Sequence, residues 1–134
     1  MKIVFSDTGY WLALLNPNDD LHGRAVHVSK ELGRVRQVTT EMVLAELLAG
    51  LSKKSVRDLA IRGVQEILTN PNVEVVPQTS LQFKSAFATY RNASDKEWSL
   101  TDCASFDVMR SRGIREALAH DHHFVQAGFV ALLR

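Results

Sequence analysis

Short β-rich apolar runs alternate along this chain with segments whose apolar residues recur at a helical period, and that alternation limits the folds open to it. Lys2-Ile3-Val4-Phe5-Ser6 reads as a strand that gives way at Asp7-Thr8-Gly9 to the helical Tyr10–Leu15 segment. Asn16 to Asp20 reads as a turn, with Asp20 the N-cap of a helix over 21–32 that Gly33 ends. A second strand is expected at 35–38, and Thr39 or Thr40 caps a helix over 41–49 closed by Gly50. Ser52 opens a helix carrying Leu59, Ile61, Val64, Ile67 and Leu68, and the third strand, Val73 to Val76, stops at Pro77. Helices follow over 80–91 and from Ser99 or Thr101 to Arg112, with short strands at 117–119 and 129–133. Strands separated by helices pair in parallel, because a parallel connection is a crossover. The expected fold is α/β: a three-layer α/β/α sandwich with a central, mostly parallel sheet of four to five strands, in one domain over 1–134.

Composition excludes several classes. At 134 residues and 46% hydrophobic content the chain can bury a core without staples, and no stretch is polar and charge-biased enough to be a disordered tail. Sixteen Lys plus Arg against fifteen Asp plus Glu leave a net charge of +1, without the overall basicity that by itself marks a nucleic-acid binder. A single cysteine, Cys103, forms no internal disulfide, and the first residues lack a signal-peptide pattern. The apolar stretch Tyr10–Leu15 falls far short of the roughly 20 residues of a membrane span, so a reducing, cytoplasmic location is expected.

In open parallel sheets the working site lies beyond the carboxyl ends of the strands. Asp7 and Asp121 each directly follow a strand region, and each has a second reading as a helix N-cap. Glu46 lies in Met42-Val43-Leu44-Ala45-Glu46-Leu47-Leu48-Ala49, a segment apolar almost all the way round, which predicts a buried helix. Its neighbours Met42, Val43, Ala49 and Gly50 cannot neutralise it, so a distant charged or metallic partner faces it, or an exposed seam lets it meet water. Asp102 heads a stripe of Ser105, Phe106 and Met109, yet Ser99-Leu100-Thr101-Asp102 also fits a capping box. Asp107, followed by Arg110 and Ser111, reads as an exposed ion pair.

Convergence of Asp7, Glu46, Asp102 and Asp121 at one end of the sheet would demand a cation. At about 5 Å and an effective dielectric near 20, each ionised pair repels by roughly 3 kcal/mol. Oxygen ligands without a cysteine pair suit Mg²⁺ or Mn²⁺, and such a site suits phosphodiester hydrolysis.

These residues also carry a resemblance. Ile3-Val4-Phe5-Ser6-Asp7-Thr8, Thr40-Glu41-Met42-Val43-Leu44-Ala45-Glu46-Leu47, Ser99-Leu100-Thr101-Asp102-Cys103-Ala104-Ser105-Phe106 and Ala117-Leu118-Ala119-His120-Asp121-His122-His123-Phe124 resemble, in order, the motifs of PIN domains, especially VapC-type toxin ribonucleases. The resemblance implies that Asp7, Glu46, Asp102 and Asp121 hold one or two Mg²⁺ or Mn²⁺ ions and cut single-stranded RNA, supported by Thr8 and Thr101. It also implies a homodimer silenced by a small antitoxin. Gly9 stands where many such proteins carry a second hydroxyl residue, leaving Thr8 or Ser6 in that role.

Other residues have competing readings. His120-Asp121-His122-His123 suggests zinc, but His22 and His27 match no common zinc spacing, so these histidines read as exposed turn residues, with His122 a candidate RNA contact. Cys103 reads as a packed thiol. Lys53, Lys54, Arg57, Arg110, Arg112 and Arg115 are candidate phosphate contacts or simply solvated faces, and Trp98 is a candidate base-stacking residue. Tyr10 and Trp11 read as packing or dimer contacts. The rival functions are a non-catalytic RNA- or protein-binding module of the same fold, a housekeeping nuclease without antitoxin, and a phosphoacceptor domain using Asp7.

Overall fold

Along the chain β1 (Ile3–Ser6) leads into α1 (Thr8–Leu15) and α2 (His22–Leu32), and β2 (Arg36–Thr40) into α3 (Glu41–Gly50) and α4 (Arg57–Thr69). Then β3 (Val73–Val76) leads into α5 (Ser80–Asn92) and α6 (Leu100–Arg112). The elements β4 (Glu116–Leu118), α7 (His122–Gln126) and β5 (Val130–Ala131) complete the computed structural model, which describes residues 1–134.

The sheet has five strands in the order β3-β2-β1-β4-β5, and every ladder is parallel. Parallel strands need crossovers, and crossovers are right-handed. Steps from β1 to β2 and β2 to β3 run one way across the sheet, so α1 to α4 share one face; the steps to β4 and β5 run the other way, which puts α5 to α7 on the opposite face. The packing agrees, with α1 against α2, α3 and α4, and α6 against α5 and α7. This is the expected three-layer fold. The direction of winding reverses between β1 and β4, a crevice where α/β sheets place their sites.

A continuous cluster of 25 buried apolar residues crosses the sheet, from Val43 and Leu47 on one face to Phe106 and Met109 on the other. Val4 and Phe5 of β1 are fully buried because helices cover both faces of this central strand. Under α7 the core is aromatic: the Phe106 ring centroid lies 4.9 Å from Trp98, 5.0 Å from Phe124 and 5.7 Å from Phe129. Tyr10 and Trp11 are buried packing residues, with the Trp11 indole N–H donating to Thr39 Oγ1 at 3.4 Å. No helix is long and apolar enough to cross a membrane.

Several boundaries differ from the sequence reading for local reasons. The first helix begins at Thr8, directly after Asp7, without an intervening turn. Leu21, not Asp20, is the N-cap of α2, because Asp19 Oδ1 accepts the Leu21 N–H at 2.9 Å and closes the preceding turn. The fourth helix starts at Arg57 rather than Ser52, since buried Leu51 ends α3 and the chain turns through Val56 N–H to Lys53 C=O before helix resumes. Asp107 is half-buried and accepts from Ser85 Oγ at 3.0 Å and Thr89 Oγ1 at 2.8 Å on α5, so it clamps two helices rather than forming an exposed ion pair. Gly113 ends α6 as expected, in the left-handed conformation at φ 65° that lets Ile114 N–H reach back to Met109 C=O.

Phe106 touches aromatic residues from the loop before α6, from α7 and from the turn before β5. Phe106→Ala is therefore expected to destabilise the chain by about 3–5 kcal/mol in urea unfolding; a loss below about 1 kcal/mol would contradict this account of the core.

Candidate active site

Three of the four acids are delivered by backbone ends that the fold brings to the carboxyl edge of the sheet. Asp7 follows β1, and its N–H donates to Leu118 C=O at 3.1 Å, so it is tied to the end of neighbouring β4. Asp121 lies just beyond β4 as the N-cap of α7, its Oδ1 accepting the His123 N–H at 3.0 Å. Asp102 occupies the first turn of α6, where a capping box holds it: Ser99 Oγ accepts from Asp102 N–H at 3.0 Å and Asp102 Oδ2 accepts from Ser99 N–H at 3.1 Å. Asp102 and Asp121 are thus helix caps, and their charges also reach Asp7.

Asp7 is the exception. It occupies the N-cap position of α1, but its side chain makes no capping hydrogen bond, although the residue is only 7% exposed. Burial pushes its carboxyl up to about 7, partly opposed by the Thr8 backbone N–H and reinforced by the charges of Asp102, Glu46 and Asp121. Burial also raises Asp102, against the Ser99 N–H and His123, which favour its charged form. Thr8 Oγ1, beside Asp7, is buried with no hydrogen-bond partner. An uncompensated carboxylate and an orphaned hydroxyl fit a hard divalent cation, which takes oxygen donors and supplies the missing charge.

Of the two readings open for Glu46, the exposed seam holds: Glu46 is exposed, on a side of α3 that Ala45 and Ala49 also leave open to solvent. The apolar run misled because its small residues face outward. Glu46 still acts on the cluster through its charge at Asp7.

Beneath the acids, Ser6 Oγ donates to Gln37 Oε1 at 2.7 Å and Thr39 Oγ1 donates to Ser6 C=O at 2.8 Å, so the end of β1 is fastened to β2. Ser6 is therefore directed away from the acids, and Thr8 is the hydroxyl adjoining Asp7. Thr101, half-buried, lies next to Asp102 in the first turn of α6.

His123 was absent from the sequence-derived site. Its imidazole is 15% exposed rather than on an open turn, with Nδ1 3.1 Å from Asp102 Oδ2 and 3.2 Å from Asp121 Oδ2. The available signal was the Asp-x-His spacing, because an N-cap carboxylate bonds the backbone N–H two or three residues on and draws that residue against it. His122 is exposed, with Nδ1 3.4 Å from Asp121 Oδ1, and the donor atoms of Asp121, His122 and His123 all lie within 4.8 Å of one another.

The basic candidates separate. Lys53, Lys54 and Arg57 are exposed together around the start of α4. Arg110 and Arg112 end α6, a full helix length from Asp102, and are engaged elsewhere. Arg112 Nη1 pairs with Glu74 Oε1 at 2.7 Å, while Arg110 lies over the Phe106 and Phe129 rings. The structure does not bring this pair to the acids. Trp98 packs edge-on against Phe106, and its N–H donates to Gln126 Oε1 at 3.0 Å. Cys103 is fully buried and its thiol is pushed up to about 11 by burial and the charges of Asp102 and Asp107, as a packed thiol should be.

A parallel sheet wound in both directions is a frame this chain shares with solved structures. The PIN domain profile matches residues 4–130, and the chain belongs to the PIN domain family. Among its relatives, the 23S rRNA-specific endonuclease VapC20 of Mycobacterium tuberculosis is 32% identical over 128 residues, covering 96% of each chain. The crystal structure of that protein, described as a Sarcin-Ricin loop cleaving toxin, superposes with a TM-score of 0.85 at 31% identity, over 95% of this chain and 96% of the other. VapBC2 from Rickettsia felis, at 12% identity and a TM-score of 0.66 over 96% of each chain, shares the fold.

An acid held protonated by burial has a signed pH signature. Its folded value of about 7 lies above the ordinary 3.8, so the folded state binds the extra proton and the stabilisation is lost as pH rises from about 4 to about 7. Asp7→Asn cannot ionise. Without divalent ions, the stability advantage of Asp7→Asn over wild type is expected to grow across that window to a few kcal/mol, on the order of 4 at most, in denaturant titrations at several pH values. A difference that stays flat with pH would contradict the placement of Asp7.

Proposed function

We propose that this chain is a Mg²⁺- or Mn²⁺-dependent endoribonuclease and the toxin of a type II toxin–antitoxin pair. Asp7, Glu46, Asp102 and Asp121 are its metal ligands, and Thr8 and Thr101 support them. The observation that carries this reading is Asp7, a buried carboxyl without a capping bond, surrounded by negative charge and next to an orphaned hydroxyl. Similarity to VapC20 over nearly the whole chain supports RNA as the substrate, with 23S rRNA the first to test.

When bound, the divalent cation supplies positive charge beside the phosphodiester and favours water as a nucleophile near neutral pH. The sheet edge fixes the backbone of Asp7 and the capping box fixes the Asp102 carboxylate, so both acids are already placed when the ion and the phosphate arrive. Exposed Glu46 closes the cluster from the solvent side. Water oxygen joins phosphorus, the bond from phosphorus to the 3′ oxygen breaks, and the proton passes to that oxygen, leaving a 3′-hydroxyl and a 5′-phosphate. Lys53, Lys54 and Arg57 hold flanking phosphates, with His122 at the rim, where it is exposed beside Asp121.

Cleavage of 23S rRNA, mapped by primer extension, tests the reading. Asp7→Asn is expected to lower the rate about 10³-fold, the equivalent of several kcal/mol of lost transition-state stabilisation, and chelation to abolish cleavage until Mn²⁺ is restored. Full cleavage by the variant or in chelator overturns the metal assignment; RNA retained uncut with Mn²⁺ present favours a binding module instead.

Replacing Lys53, Lys54 and Arg57 together with Ala is expected to weaken RNA binding and flatten its salt dependence by about two to three phosphate contacts, read from affinity against salt concentration. The homodimer and the antitoxin belong to the same proposal. Light scattering should give twice the monomer mass, and growth arrest on expression of this chain should be relieved by a small protein encoded beside it.

A further inference from the structure

The His123 ring stands between two carboxylates that different elements supply, Asp102 from α6 and Asp121 from the start of α7. Its Nδ1 lies 3.1 Å from one and 3.2 Å from the other, while its own backbone N–H donates to the second oxygen of Asp121. With hydrogen on Nδ1, the ring donates to Asp102 Oδ2 and sets the same N–H in close contact with Asp121 Oδ2. The ring cannot swing aside easily. It packs on His122 at a centroid distance of 4.5 Å, and the next residue, Phe124, is fully buried in the aromatic core.

We propose that His123 is a positioning residue whose Nδ1–H bonds Asp102, keeps Asp121 alongside it and so fixes the pair for a divalent cation. The inference rests on the reading of these acids as metal ligands. Unlinked, two neighbouring ionised carboxylates repel each other and spread apart. Asp121, 41% exposed, is held only by its cap on the His123 backbone N–H, whereas Asp102 is buried as well as fixed by the capping box. Both bonds to Asp102 fall on Oδ2, so Oδ1 remains available to an ion. A hydrogen bond behind a ligating carboxylate orients it, and losing such a partner typically weakens metal binding 10- to 100-fold.

The test needs no RNA. Mn²⁺ is titrated by calorimetry into the wild-type chain, His123→Leu, which keeps bulk but offers no donor, and His123→Asn, whose amide N–H falls near the position of Nδ1. His123→Leu is expected to weaken Mn²⁺ binding 10- to 100-fold and His123→Asn to recover most of that loss, to within about 3-fold of wild type. Wild-type affinity in His123→Leu overturns the proposal, as does an equal loss in both variants, which would make His123 a direct ligand. A second measurement does not depend on either variant folding: long-range nitrogen–proton spectra of the wild-type ring at about pH 8 should report hydrogen on Nδ1, and hydrogen on Nε2 overturns the proposal. If wild type binds no Mn²⁺, the metal reading itself falls and this inference falls with it; if it binds Mn²⁺ in an Asp7-dependent way while His123→Leu binds as tightly, this inference falls alone.

Discussion

Everything at the carboxyl edge of this sheet is arranged around a carboxyl that the fold buries without neutralising. Removing a carboxylate from water is expensive, and proteins ordinarily pair it, protonate it or bind an ion to it. The surroundings of Asp7 do not pair it: it lacks a capping bond, and the nearest charges are other acids. Protonation and cation binding remain, and they compete for the same oxygens. On the proposed reading the chain is poised between a neutral, metal-free state and an ionised, metal-loaded one, and the chemistry belongs to the second.

Topology explains how residues so distant in sequence meet. Reversal of the winding between β1 and β4 opens a crevice at the ends of two adjacent strands, and Asp7 and Asp121 stand at those ends. Because the crossovers diverge there, helices from both faces reach it: α3 with Glu46 from one, α6 with Asp102 from the other, and these two helices touch. The hydrogen bonds of Ser6 with Gln37 and Thr39 hold the floor of the crevice rigid, so the acids repel one another on a base that does not yield.

Much of this was legible in the residues. Alternating strand and helix patterns implied a parallel sheet, and the Asp residues after β1 and β4 marked its working edge before any coordinates. What escaped depended on side-chain direction. Glu46 stayed open between two readings because hydropathy does not distinguish inward Leu44 and Leu47 from outward Ala45 and Leu48, and α3 carries all four. Asp107 was misjudged because local spacing to Arg110 says nothing about the hydroxyls that α5 presents across the helix pair. His123 was hidden by its neighbours: in His-Asp-His-His only the helix geometry decides which ring turns inward. Arg112 was placed with the RNA contacts because sequence does not reveal that Glu74 on a distant strand claims it.

The capping box at Asp102 gives the acids unequal evolutionary fates. Replacing Asp102 removes a hydrogen bond that starts α6, at a cost of about 1 kcal/mol to the fold, so the helix itself resists losing this acid. Replacing Asp7 does the reverse and relieves the fold of its least comfortable group. On the proposed toxin reading, the easiest route to a harmless, well-folded descendant runs through position 7. Lineages that have abandoned the activity while keeping the protein should bear that scar first.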